Sequence, residues 1–381
     1  MKSIPLQTGL MGGRRVALSL CWLVLFAIVG AIVFHALWAP DVVLMSTDDN
    51  VGLERATQRM LEASAVHPWN GEALWGLPVM SLVRPGYFLL RGVSAEWFMN
   101  TFHGLCLALA AWLLALYLRD KGVQPAACIF GGLVAFWVGT NLTLVYAGHV
   151  GKYGTLVFLA LSIFALGRWG RTGRSAWAVV AGSAAGAMFL EQPDVALFCA
   201  LLLVPLGLFE ASRAAGGWKV GAMLRQSWGA ALAAALVAGG ASLAAQGSGV
   251  TDVPGGEAPE AHWAYITQWS QPPSESLDFI APGWTGWRSG DEQGPYWGKM
   301  GRSDGWEQTR QGFMNFKLEN VYVGVIPLLF ALLGVVESVR RRREDRAAPA
   351  VWLWGGLCLL ALLLAFGKYF PLYRPLSWLP G

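Results

Sequence analysis

The chain has 381 residues, of which 55% are apolar and only 14% charged, and its mean hydropathy is +0.45. Water-soluble domains carry about 25% charged residues, so lipid is the solvent for most of this chain. A net charge of +4 does not point to nucleic acid, and none is expected as a partner. Continuous apolar runs exclude a strand barrel, whose strands alternate apolar and polar positions, and leave an all-α integral membrane bundle.

Apolar windows place about nine spans along the chain, near residues 16–38, 98–118, 125–146, 150–167, 175–190, 195–212, 228–246, 321–338 and 350–366. The first follows Arg14 and Arg15. It is too long for a signal-peptide core and is expected to stay as an anchor. Residues 1–246 thus form an N-terminal membrane bundle of about seven spans that includes a loop at 40–97. A Trp-rich loop occupies 247–320, and 321–381 holds the C-terminal spans and an outer tail. Cys21, Cys106, Cys128, Cys199 and Cys358 all fall inside spans without a CxxC pair. They are expected to be small buried hydrophobes, not disulfides or zinc ligands.

More than half of the 28 Lys and Arg residues, including the Arg340–Arg343 run, lie on one side of these spans, and most of the 24 acids lie on the other. By the positive-inside rule the N-terminus is cytoplasmic and both long loops face away from the cytoplasm. The Arg run reads as a stop-transfer and headgroup-binding cluster.

Asp48 and Asp49 follow the first span and precede an amphipathic segment. Leu53, Ala56, Met60 and Leu61 share one face of that segment, opposite Glu54, Arg55, Gln58, Arg59 and Glu62, as in an interfacial helix. Carboxylates here suit two tasks. One is helix capping, and the other is a general base or a ligand to a divalent cation beside a phosphate. Gly148, His149, Val150, Gly151, Lys152 and Tyr153 form a tight outer turn in which Lys152 either snorkels or meets a phosphate. The turn holding Glu191 and Asp194 is either solvated or dips inward to serve a site. In the second loop, Trp284, Trp287 and Arg288 lie farthest from a span. They suit either an interfacial aromatic belt or the apolar face of a sugar. Gly-rich phosphate loops, hydrolase elbows and zincin spacings are absent.

Four short stretches, taken in order, resemble the YfhO-like family of bacterial membrane proteins, whose architecture is similar to GT-C glycosyltransferases. They are Asp48-Asp49-Asn50, Gly148-His149-Val150-Gly151-Lys152, Pro295-Tyr296-Trp297-Gly298 with Val321-Tyr322-Val323-Gly324, and Phe366-Gly367-Lys368-Tyr369-Phe370-Pro371-Leu372. The resemblance implies transfer of a sugar from a polyprenyl-phosphate carrier to an envelope glycan or glycolipid acceptor at the bacterial inner membrane. Asp48 or Asp49 would activate the acceptor hydroxyl or hold a metal, and Lys152 with His149 would face the leaving phosphate. Relatives carry a different turn where this chain has Glu191-Gln192-Pro193-Asp194, and they continue beyond Gly381, so a C-terminally truncated member is implied. The rival readings are a lipid or glycolipid transporter and a non-catalytic envelope assembly protein.

Overall fold

The computed structural model describes residues 11–46, 48–63, 69–70, 77–78, 84–246, 263–264, 266–286, 296–300, 321–340 and 348–378. Most of these residues are helical, and Trp69–Asn70 pairs antiparallel with Leu77–Pro78. The helices are α1 (Met11–Val33), α2 (Val51–Ala63), the single turn α3 (Tyr87–Leu90), α4 (Ala95–Asp120), α5 (Pro125–Phe136) and α6 (Gly139–Ala147). They continue as α7 (Val150–Thr172), α8 (Ser175–Glu191), α9 (Pro193–Ala214), α10 (Val220–Gln246), α11 (Val325–Arg340) and α12 (Ala348–Ala365).

Among the described residues, six helices are long and apolar enough to cross a membrane. The windows at 175–190 and 350–366 appear as the shorter apolar helical stretches Ser175–Glu191 and Pro349–Ala365, and 321–338 appears as the 16-residue α11. The expected third span is not one smooth helix. It breaks at Trp137 (φ −94°, ψ 43°), where the indole packs beside Phe34 and against Gly30, and Gly139 then restarts the backbone as a weak helix former.

Local chemistry sets the other boundaries. Ser94 caps α4 by accepting the Trp97 N–H, Gly173 closes α7 in the left-handed region at φ +67°, and Pro193 opens α9 straight after the extended Gln192. Each device satisfies or removes an orphan backbone group at a helix end.

The chain forms two compact units. The first comprises 1–137, 148–199 and 207–248. Its centre is α4, on which α1, α5 and α7 pack, with α2 resting against it; α8 packs on α7 and α10 on α8. Glycines allow these close approaches. Gly132 sits against the Ala111 carbonyl, Gly167 against the Tyr117 ring and Gly182 against the Ala230 backbone. Small residues are how helices associate where no hydrophobic force distinguishes partner from lipid. Two of the cysteines depart from expectation. Cys106 and Cys128 are buried, but Cys21 and Cys358 are exposed, as lipid-facing apolar side chains are.

The second unit comprises 138–147, 200–206 and 249–381. In it α11 packs on α12. Its non-helical part is tied down by Gln271 N–H to Ala365 O (2.8 Å) and Val323 N–H to Phe279 O (3.1 Å).

Candidate functional site

The site grows from the segment after α1. The Asn100 side chain, on α4, donates to the carbonyls of Leu37 (3.1 Å) and Val42 (2.8 Å) and accepts from Leu44 N–H (2.9 Å). One amide therefore holds the chain that leads to the acids. Beyond it, Ser46 Oγ donates to the Asp49 carbonyl and Asp49 N–H donates to Gly148 O (3.3 Å). Gly148 needs its freedom: its φ is +87°, and a Cβ there would strike Ser46.

Asn50, not either aspartate, caps α2 by accepting the Leu53 N–H at 3.1 Å. Asp49 is thereby free for other work. Its carboxylate accepts the Val150 N–H at 3.1 Å, at the positive end of the α7 dipole, and lies 3.8 Å from the Arg84 guanidinium. Burial raises the Asp49 carboxyl above its ordinary value, against the pull of Arg84 and the Val150 N–H. Asp48 is 58% exposed and pairs with His149 Nε2 at 3.5 Å. The two aspartates thus turn to different partners, and no group of three His, Cys, Asp or Glu side chains among the described residues gathers as a metal site requires.

Arg84 and its neighbours are the residues that sequence reasoning missed. Arg84 Nη1 donates to the Tyr87 hydroxyl (3.2 Å), which donates in turn to Glu54 Oε1 (3.1 Å). The expected solvent face of α2 is therefore wrong at Glu54, which is 0% exposed, whereas Leu53 on the expected apolar face is 40% exposed. The buried face is Glu54, Thr57 and Leu61. Tertiary partners override the hydrophobic pattern here, because a carboxylate with a fixed donor tolerates burial. Burial, reinforced by the charge of Asp49, pushes Glu54 up to about 7. Burial also raises Tyr87, which stays a donor. Although burial pulls Arg84 down, Tyr87, Asp49, Glu191 and Glu54 raise it on balance and keep it charged.

The α8–α9 turn completes the group. Glu191 is 1% exposed and accepts the Gly86 N–H at 2.6 Å. Gly86 and Gly154 leave room for its carboxylate, and Gly151 lies against its carbonyl. Of the α6–α7 turn, Gly148 packs against Ser46 and Gly151 against Glu191. Asp194 stays exposed, with Gln192 as its neighbour at 3.5 Å. Glu54 Oε2 and Glu191 Oε2 are both buried without a hydrogen-bond partner.

Lys152 is half-buried on the first turn of α7, and no ion pair involves it among the described residues. His149 precedes that turn. Trp284 lies in the second unit and is 57% exposed. Trp287 and Arg288 lie outside the described residues.

The fold and site together define a multi-pass, all-α membrane protein with a polar site of three buried or half-buried acids and an arginine at one end of its helices. No family model, no curated protein and no solved structure matches this chain.

Proposed function

We propose that this protein is a GT-C-like glycosyltransferase, similar to the YfhO-like family, that moves a sugar from a polyprenyl-phosphate carrier to an extracytoplasmic envelope acceptor. The observation that carries the reading is the Asp49 carboxylate held between Arg84 at 3.8 Å and the first N–H of α7 at 3.1 Å. A half-buried carboxyl with a raised proton affinity is a stronger base than a solvated one. In the reaction an acceptor hydroxyl oxygen attacks the sugar C1 while its proton passes to Asp49. The bond from C1 to the phosphate oxygen breaks, and its electron pair leaves with the polyprenyl phosphate. Arg84 and Lys152 supply the local positive charge that such a leaving group needs in a semi-dry setting, with His149 beside Asp48 in the same turn.

The opposite helix ends support a cytoplasmic N-terminus. Lys121, Arg168, Arg171 and Arg213 cluster there, at the ends of α4, α7 and α9, as the positive-inside rule expects of a bacterial inner-membrane protein.

The test uses purified protein in bacterial-lipid vesicles supplied with polyprenyl-phosphate sugars radiolabelled in the sugar. The reading predicts a labelled glycosidic product. It also predicts a donor KM several-fold higher for Lys152→Met, with the acceptor KM unchanged. Movement of labelled lipid between leaflets with no new glycosidic bond would make the protein a transporter. Neither activity would leave an assembly role.

A further inference from the structure

We infer that residues 270–286 and 296–300 of the second unit form a platform seated in the headgroup layer of the bilayer, with Leu277, Ile280, Trp284 and Trp297 inserted into lipid. The inside of this segment is polar. Glu275 and Asp278, each buried, are satisfied by Thr285, by the Tyr296 hydroxyl (3.0 Å to Glu275) and by the Lys299 N–H (2.6 Å to Glu275). Gly286 bridges to Tyr296, and Trp297 N–H donates to Thr285 O at 3.1 Å. With the Glu275 and Asp278 carboxylates paired within, the segment turns large apolar side chains outward: Leu277 is 49% exposed, Ile280 55%, Trp284 57% and Trp297 65%. A water-facing loop rarely displays four such side chains in so short a stretch.

The bilayer is the occupant because the segment is pinned to the ends of two apolar helices. Gln271 N–H donates to Ala365 O at the last residue of α12, Lys368 N–H donates to Ser270 Oγ at 3.0 Å, and Val323 N–H, two residues before α11, donates to Phe279 O. These helices expose Leu329, Phe330 and Leu333 on α11 and Leu359 on α12, the surface that a lipid-facing helix shows. A segment fixed at their ends sits at interface depth, where Trp and aliphatic side chains partition favourably. On this inference Trp284 is a membrane anchor and not a sugar platform, and the assignment stands whether or not the chain transfers sugar.

The test places the photoreactive residue p-benzoylphenylalanine singly at Leu277, Ile280, Trp284 and Trp297 in the full chain, reconstituted in phosphatidylcholine and phosphatidylglycerol vesicles. Lipid adducts are read by intact-protein mass spectrometry. Ile326, exposed on α11, is the lipid-facing control and Phe98, buried on α4, the shielded one. Adduct yields at three or more of the four positions should come within about threefold of Ile326 and exceed Phe98 by about tenfold, as expected of side chains at interface depth. Yields at all four no higher than at Phe98, beside a strong Ile326 signal, would overturn the platform. So would loss of the Trp284 adduct on adding a soluble oligosaccharide, which would make that face a sugar site.

Discussion

The backbone N–H of Gly86 donates to Oε1 of Glu191 at 2.6 Å, tying the Arg84–Tyr87 turn to the last residue of α8. Glu191 thereby sets where Arg84 stands relative to Asp49. Room for it comes from the missing side chain of Gly154, since a Cβ there would overlap the Glu191 carboxylate.

Gly154→Ala should therefore destabilise the protein by about 1 to 3 kcal/mol, the usual cost of overpacking. Glu191→Gln keeps an oxygen for the Gly86 N–H and removes a buried charge. Its melting temperature in detergent should match or exceed that of the parent, whereas Gly154→Ala should melt several degrees lower. A Gly154→Ala protein that melts like the parent would mean that Glu191 is not held where it is described.

Glu54 makes stability depend on pH. Its ordinary value is 4.5 and its folded value about 7, so the folded protein binds a proton between these limits that the unfolded chain has released. The associated stability is full below about pH 4.5 and is lost as pH rises through about 7. Asp49, Tyr87 and Arg84 are the charged or titratable groups acting on Glu54. Glu54→Gln should flatten the fall in melting temperature between pH 5 and pH 8 and raise it at pH 8. An unchanged slope would show that Glu54 does not titrate in this window.

A buried acid at the other helix ends invites a charge-balance test. Glu210 is 0% exposed, pairs with Lys121 and accepts from Arg213 at 3.0 Å. Removing one partner of a buried pair typically costs about 3 to 5 kcal/mol, and Lys121→Met should approach the lower figure because Arg213 remains. Lys121→Met with Glu210→Gln should recover most of that loss in thermal unfolding. A double variant as unstable as the sum of the singles would show the two residues to be uncoupled.

The helical, multi-pass character was legible in composition and apolar run length, because lipid imposes both on any spanning segment. The approach of Asp48 and Asp49 to the His149–Val150 turn was legible from acids and bases sitting beside helix ends. Glu54, Arg84 and Tyr87 were not, and each for a physical reason. Glu54 occupies a position that the helical pattern assigns to solvent, and only the Tyr87 hydroxyl, 33 residues away, makes its burial tolerable. Arg84 and Tyr87 lie in an irregular stretch with no periodicity to read. Glu191 was left open, between a solvated turn and one dipping inward to serve a site, and the glycines that surround it are Gly86 and, at the start of α7, Gly151 and Gly154. A glycine at 151 and another at 154 was the one available signal, since such spacing on a helix marks close approach by another chain segment.

Asp48 and Asp49 are adjacent and chemically identical, yet one is solvated beside His149 and the other is held by Arg84 and the α7 N-terminus. The most direct measurement is glycosyl transfer by Asp48→Asn and Asp49→Asn, compared in vesicles with labelled polyprenyl-phosphate sugar at equal insertion and equal melting temperature. Asp49→Asn should lower kcat by about 100-fold or more, the scale of a lost general base, while Asp48→Asn stays within about threefold of the parent. Full turnover by Asp49→Asn would contradict the account.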